Sequence, residues 1–508
     1  MSASRSARAV ALALVITGVC LALAASHRAP AAAVSREALA SGFDSGIRNL
    51  VAEWNTNDRR PVGERRAALF DFMYQTYDAS AWIPQSLFDS NLLTQAIVGD
   101  VQTIVGEKVG LVLWRDNPRV PAFGMAPNAR EKNAPLRWTV NCLVCHTAEI
   151  DGRAYLGAGT KTFDELWLGE ALKRLTSDGW RGRLKDSADS ALAADAHRIL
   201  NSHHHDKIDS LSRARSTAFA ASHVEMYMRS HDGRMPSIEE VGRGDVKTPP
   251  LWHTAAKMPV QRWYSDGSFH GAFPLMASSM ELEKDRPFDA LVQVVVPKIK
   301  EEFESTIRHL RPPRYPYEID SALAERGREL FYSQDIGCHR CHGTYDGHGG
   351  VDWPGVHVNI GTDRARLDVV SAGFIEAFNS SPLAKEGALV KSRGYAATPL
   401  TGVWANFPYL HNGSVPTLHD LLGPASARPK IFQITAARTL DRAKVGQPLY
   451  ADPSFVRLGE PEVLRRFGDQ RDWFNTARPG SGNSGHDFWS VIGGDANRRA
   501  LIEYLKTL

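Results

Sequence analysis

Two Cys-x-x-Cys-His strings, Cys142-Leu143-Val144-Cys145-His146 and Cys338-His339-Arg340-Cys341-His342, constrain this chain more than anything else in its sequence. That spacing is the attachment signature of covalently bound c-type haem. Cysteines three apart lie on about one helical turn, near enough for both sulfurs to form thioethers with the vinyl groups of one porphyrin. The histidine that follows then reaches the iron. Cys142, Cys145, Cys338 and Cys341 are therefore assigned to cofactor attachment. His146 and His342 are assigned as proximal ligands of two irons, each with one axial position left for protein, water or substrate. A lone Cys-x-x-Cys also serves zinc and thiol redox chemistry, but two strings that each end in histidine argue for two haem c groups. Of the five cysteines only Cys20 lies outside the motifs.

The beginning of the chain agrees with this. Arg5 and Arg8 precede an almost uncharged run from Ala9 to Ala25, with small residues near its end, which reads as a signal peptide over residues 1–25 and predicts a periplasmic or secreted protein. The run is short for a membrane span, and no later stretch is as long without charge. A length of 508 residues leaves room for two or three domains with cores of their own. The formal net charge is +3 and no basic stripe stands out, which argues against a nucleic-acid partner. His203-His204-His205 sits among charged and polar residues and reads as a solvated face.

Helical spacing over Ala67 to Val105 gives way to a Pro-, Asn- and Gly-rich stretch between Arg115 and Pro135 that leads into the first motif. Asp151-Gly152 and Gly157-Ala158-Gly159 read as turns around the first haem, and Phe163 to Arg229 returns to helical composition. A helix around Phe288 to Leu310 should end at Arg311-Pro312-Pro313, which places a domain boundary after residue 315. The predicted fold is mainly α, with two cytochrome c-like haem domains at 26–315 and 316–508, long loops, and a helical elaboration of the first. The second begins with an amphipathic helix carrying Gly327 and ends with one that sets Leu501, Tyr504, Leu505 and Leu508 on a single face. Small cytochromes c cross two such helices, packing a glycine against an aromatic.

The sixth ligands decide function, because a haem held by two strong protein ligands suits electron transfer while an open one binds small molecules. Downstream of the second motif the candidates are His348, His357, His411, His419 and His486. His411 lies in the turn Tyr409-Leu410-His411-Asn412-Gly413, and His486 in the loop Gly482-Asn483-Ser484-Gly485-His486. For the first haem, Met125, His270 and Met276 are the residues that would close the iron.

The stretch from Thr398-Pro399-Leu400 through Phe407-Pro408-Tyr409-Leu410-His411-Asn412-Gly413-Ser414 to Thr417-Leu418 resembles the C-terminal motif of the bacterial di-haem cytochrome c peroxidase and MauG superfamily. Within it the resemblance is closest to the RoxA-like cytochromes, the branch that includes rubber oxygenases. The typical peroxidase has a methionine ligand where this chain has Leu410, which cannot bind iron. MauG-like members use a tyrosine, which implies Tyr409, whereas RoxA-like members imply a bis-histidine second haem, with His486 preferred and His411 second. The resemblance also implies an inter-haem tryptophan, here Trp252 in preference to Trp263, and calcium between the haems, for which no ligands are assigned. Peroxidases place an acid some way after an aromatic-Asp-Gly element. Here Glu281 is the counterpart and stands out of register.

The expected activity is thus an exported oxidoreductase that activates hydrogen peroxide or O2 at the first haem and exchanges electrons through the second. Its further partner would be an organic substrate or a small electron-donor protein. The alternative is an electron-transfer cytochrome with both haems six-coordinate.

Overall fold

The computed structural model describes residues 60–74, 83–84, 103–114, 122–127, 137–164, 213–216, 221–234, 244–275, 288–347, 350–434, 438–449, 462 and 472–508. The expected signal peptide at 1–25 with Cys20, and the assignments made to His203-His204-His205, Met276, Glu281 and His348, lie outside these residues. Four helices frame the rest: α1 (Val62–Met73), α2 (Phe288–Ser305), α3 (Ser321–Tyr332) and α4 (Asp495–Thr507). Among the described residues no helix is long and apolar enough to cross a membrane.

α3 begins where Asp320 accepts a hydrogen bond from the Leu323 N–H at 2.9 Å, which satisfies a donor the helix itself leaves open. It buries Ala324, Gly327, Leu330 and Phe331, a stripe of three- and four-residue spacing. α4 answers with Leu501, Tyr504 and Leu505. A Cβ at Gly327 would stand 1.9 Å from the Ala500 carbonyl oxygen and 2.8 Å from the Tyr504 Cβ, so only glycine lets the two backbones come this close. Phe331 and Tyr504 pack beside the crossing with ring centroids 5.2 Å apart.

The described strands are two to four residues long. Thr147–Ile150 pairs with Arg153–Leu156 directly after the first motif. The hairpin turns at Asp151-Gly152 with φ of 49° and 76°, the left-handed pair that a tight two-residue turn requires. A three-stranded antiparallel sheet joins Arg262–Trp263, Phe269–Gly271 and Gly387–Leu389, with Phe269 opposite both Trp263 and Leu389. Strands from both sides of residue 315 thus share one sheet. One hydrophobic cluster likewise runs from Leu69 on α1 through Trp252 and Phe303 to Leu505 on α4.

Candidate haem centre

The second motif occupies a single helical turn, His339–His342. The His342 N–H donates to the Cys338 carbonyl at 3.0 Å, and Gly343, at φ 90°, ends the turn. Cys338, Cys341 and His342 all line a cavity of about 340 Å³, walled by Phe331, Leu400, Leu501 and Leu505 among others. Burial raises the Cys338 pKa to about 11. Nδ1 of His342 lies 2.8 Å from the Thr398 carbonyl oxygen. A backbone acceptor there fixes the ring orientation and leaves Nε2 for a metal.

Across the same cavity stands His486. The His342 and His486 ring centroids are 6.3 Å apart. Two imidazoles bound to one metal, each through a bond of about 2 Å with roughly 1.1 Å more from nitrogen to ring centre, would stand about 6 Å apart. The spacing therefore fits one iron between them. Nδ1 of His486 is buried without a hydrogen-bond partner among the described residues, and burial first, then His342 and Arg428, lowers the pKa of the ring to about 3. A neutral buried imidazole with an uncommitted nitrogen has the chemistry of a metal ligand.

His486 has φ 47°, a left-handed conformation that is strained for a residue with a side chain, so its loop must be held from outside. Arg428, 3% exposed, does much of this. Its Nη1 donates to the Asn483 and Gly485 carbonyls, both at 2.7 Å, and its Nη2 to that of His486 at 3.0 Å. Nδ2 of Asn412 donates to Gly480 and Gly482 at 3.1 and 2.9 Å, and the His486 N–H donates to the Ile360 carbonyl at 3.1 Å. The Asn-Gly turn that contains His411 thus serves as a brace for the loop that presents His486.

His411 lines the cavity too, but its ring stacks on Tyr395 with centroids 3.8 Å apart and planes at 14°. Its Nε2 is buried without a hydrogen bond among the described residues, and burial lowers its pKa to about 3. Tyr409 is 4% exposed, and its hydroxyl lies 3.2 Å from the Val445 carbonyl and 3.3 Å from that of Val403, so its proton is committed to the backbone. Burial raises its pKa well above the usual phenol value.

The first motif is a 3-10 turn, Cys142–Val144, capped by Asn141, whose side chain accepts from the Leu143 N–H at 3.0 Å. Nδ2 of Asn141 donates to the Met73 carbonyl at the end of α1. His146 is half-buried, and removal of its ring from water lowers its pKa to about 4 against the opposing effect of the Pro249 carbonyl. Cys142 Sγ lies 3.7 Å from Oε2 of Glu302, a buried carboxyl on α2. Met125 is buried in the strand Met125–Pro127, which pairs with Arg137–Val140, and His270 belongs to the Phe269–Gly271 strand.

Trp252 sits between the two motif regions. Its Nε1 donates to the Thr401 carbonyl at 2.9 Å, and the ring lies against Gly157 of the first segment and Gly402 of the second. The neighbouring His253 places Nε2 3.0 Å from the same carbonyl. Trp263 instead packs edge-on against Phe303 and donates to the Gly271 carbonyl, a core role. Glu281 lies outside the described residues. No group of three or more His, Cys, Asp or Glu side chains that could hold a metal ion is present among the described residues, so the calcium expectation gains no ligands.

The sequence did not reveal a set of buried cations. Lys161, Arg215 and Lys247 all precede residue 250 and all grip carbonyls of the 406–413 turn. Nζ of Lys161 donates to Phe407 at 2.5 Å, Nζ of Lys247 to Pro408 at 2.7 Å and to the Asn406 side chain at 3.0 Å, and Arg215 to Gly413 at 2.8 Å. Burial, then Arg215, lowers the Lys161 pKa to about 7, and burial lowers that of Lys247 well below its ordinary value. Nothing in a lone Lys or Arg distinguishes a buried position from a surface one. Only the long-range contacts do.

Two uncharacterized proteins of Sinorhizobium fredii are similar to this chain. One, y4iM, is 34% identical over 239 residues, which is 39% of this chain and 51% of that protein; the other, y4iJ, is 30% identical over 270 residues, 40% of this chain and 42% of that protein. The chain thus spans about half the length of the curated relatives it matches. The family model described as RoxA-like, cytochrome c-like matches residues 394–433, the segment that supplies Thr398, Thr401, His411 and Arg428. Over that segment the chain is cytochrome c-like, a relationship that implies haem c.

Proposed function

We propose that this chain is an exported c-type cytochrome oxidoreductase with two cytochrome c-like haem domains, at residues 26–315 and 316–508. A haem c on each motif would be held by Cys142, Cys145 and His146 in the first and by Cys338, Cys341, His342 and His486 in the second. The second centre exchanges electrons, and hydrogen peroxide or dioxygen is activated at the first. The observation that carries this reading is the 6.3 Å spacing of His342 and His486 across a cavity that also receives both cysteines of the motif. Two histidines on one iron leave it no position for a small molecule, so ligand chemistry falls to the first centre.

The bound haem supplies one-electron redox chemistry and, where an axial position is open, a site for a small ligand. The chain's own groups do the positioning. The Thr398 carbonyl holds the His342 ring, Arg428 and Asn412 hold the His486 loop, and the leucines of α4 help to exclude water. Trp252, bonded to Thr401 and packed between Gly157 and Gly402, is an aromatic bridge between the two motif regions. The organic substrate or electron-donor protein depends on pocket chemistry and not on the fold.

Electron paramagnetic resonance of the oxidised holoprotein tests the reading. One low-spin centre that His486→Ala converts to high-spin, with His411→Ala leaving it low-spin, is the expected result, alongside a first centre that responds to an added small ligand. Two low-spin, ligand-inert centres would replace the catalytic reading with that of an electron-transfer cytochrome.

A further inference from the structure

Lys257 is 8% exposed and lines the cavity between His342 and His486, and its ammonium makes no hydrogen bond and no ion pair among the described residues. Other cations here differ: buried Lys161 and Arg215 and half-buried Lys247 are each bound to backbone carbonyls. Asp266, whose charge acts on Lys257 without bonding it, binds the N–H and hydroxyl of Ser268 through Oδ1 and faces Arg366 Nε at 3.4 Å through Oδ2. The side chain otherwise lies above the Trp353 ring, with Nζ 5.8 Å from its centroid.

The position is built rather than incidental. Lys257 closes the short helix Thr254–Lys257, which continues the turn Leu251–His253. That turn is fastened by Trp252 and His253 to the Thr401 carbonyl. The Lys257 carbonyl accepts from both Val260 and Gln261, which fixes the end of the helix. A buried cation without a bonded counter-charge is costly, and the cost falls when an anion fills the space in front of it.

We infer that Lys257 is the anchor for a carboxylate of the cofactor in this cavity, a propionate of the second haem. The inference rests on the reading above, that a haem lies between His342 and His486. A porphyrin tied at one edge by Cys338 and Cys341 carries its two carboxylates on the opposite edge, and a charge-assisted hydrogen bond to Lys257 there would fix its rotation in the cavity. Lys257 touches no iron and is a positioning residue. It also sets the electrostatics of the centre. An ammonium beside a propionate favours the reduced iron, which carries one positive charge fewer, so its loss should lower the midpoint potential of the second haem.

Spectroelectrochemical titration of the holoprotein tests this with Lys257→Met and Lys257→Arg. Retention of both haems and of the low-spin signal, with a lowered second midpoint potential in the methionine variant that arginine restores, is expected. An unchanged potential in a fully loaded Lys257→Met protein would overturn the inference. The second measurement is a redox difference infrared spectrum of protein grown on carboxyl-13C δ-aminolevulinate, which labels the propionates and needs only the conservative Lys257→Arg variant. Labelled carboxylate bands that shift between the wild type and Lys257→Arg support the anchor, and identical bands refute it even if the methionine variant fails to fold. A wild-type protein whose second motif carries no haem, or whose second haem is not bis-histidine, would instead refute the reading on which the inference stands.

Discussion

At the scale of single residues, the placement of His486 depends on groups that do not line the cavity, Arg428 and Asn412. Arg428 spends its guanidinium on the carbonyls of Asn483, Gly485 and His486. Each bond from a buried charged donor contributes about 1.5–3 kcal/mol, so Arg428→Met should cost roughly 3 kcal/mol or more of stability. The same variant should release the left-handed His486 and convert part of the low-spin second centre to high-spin, which resonance spectra at several temperatures would show. Retention of a full low-spin signal would mean that the other braces, Asn412 and the Ile360 carbonyl, suffice. The residues alone give His486 and His411 equal claim because both sit in turns rich in Gly and Asn, and it is the family resemblance that prefers His486. Only the cavity separates them: one ring opposes His342 while the other stacks on Tyr395. Tyr409 shows the same limit, since its hydroxyl partners, the Val403 and Val445 carbonyls, cannot be read from its own neighbourhood in the chain.

Among the elements, the crossing of α3 and α4 was the most legible. The helical stripes are periodic, and Gly327 marks the point of contact. A Cβ there would overlap the Ala500 carbonyl, so Gly327→Val should force the helices apart and destabilise the protein by about 2–3 kcal/mol, read as a lower denaturant midpoint with an unchanged slope. Because α4 supplies Leu501 and Leu505 to the cavity wall, the variant should also lose the low-spin signal of the second centre at a higher pH than the wild type on acidification. The short strands were less legible. Two to four residues cannot show an alternating pattern, and Phe269 takes its place from pairing with Leu389, far along the chain.

For the whole molecule, charge and continuity are the controlling features. Lys161 has a pKa of about 7 in the folded protein against an ordinary value of 10.5 in the unfolded chain. Between those values the unfolded chain binds a proton that the folded one does not, so this group makes stability rise with pH across that window, and its contribution to the slope vanishes below it. Urea midpoints measured from neutral to alkaline pH should therefore climb less steeply in Lys161→Met than in the wild type; equal slopes would place the proton elsewhere. The shared sheet and the continuous core lead to a second expectation. Residues 316–508 produced alone would lack Pro249, His253 and Lys257 from the cavity wall, and should lose protease resistance relative to the full chain. A fragment as resistant as the whole would show that the 316–508 unit closes its own core.

The assignment of the two motifs to haem attachment is legible in the sequence alone, because thioether formation and proximal ligation would need only five consecutive residues on one turn of backbone. The α3–α4 crossing was nearly as local, carried by helical period and one glycine. That His486 stands opposite His342, that Trp252 packs between Gly157 and Gly402, and that Lys257 faces the cavity were decided only by tertiary structure. Each depends on distance and burial between segments far apart in the chain, and a side chain's burial, more than its type, makes a lysine an anion site or a histidine a ligand.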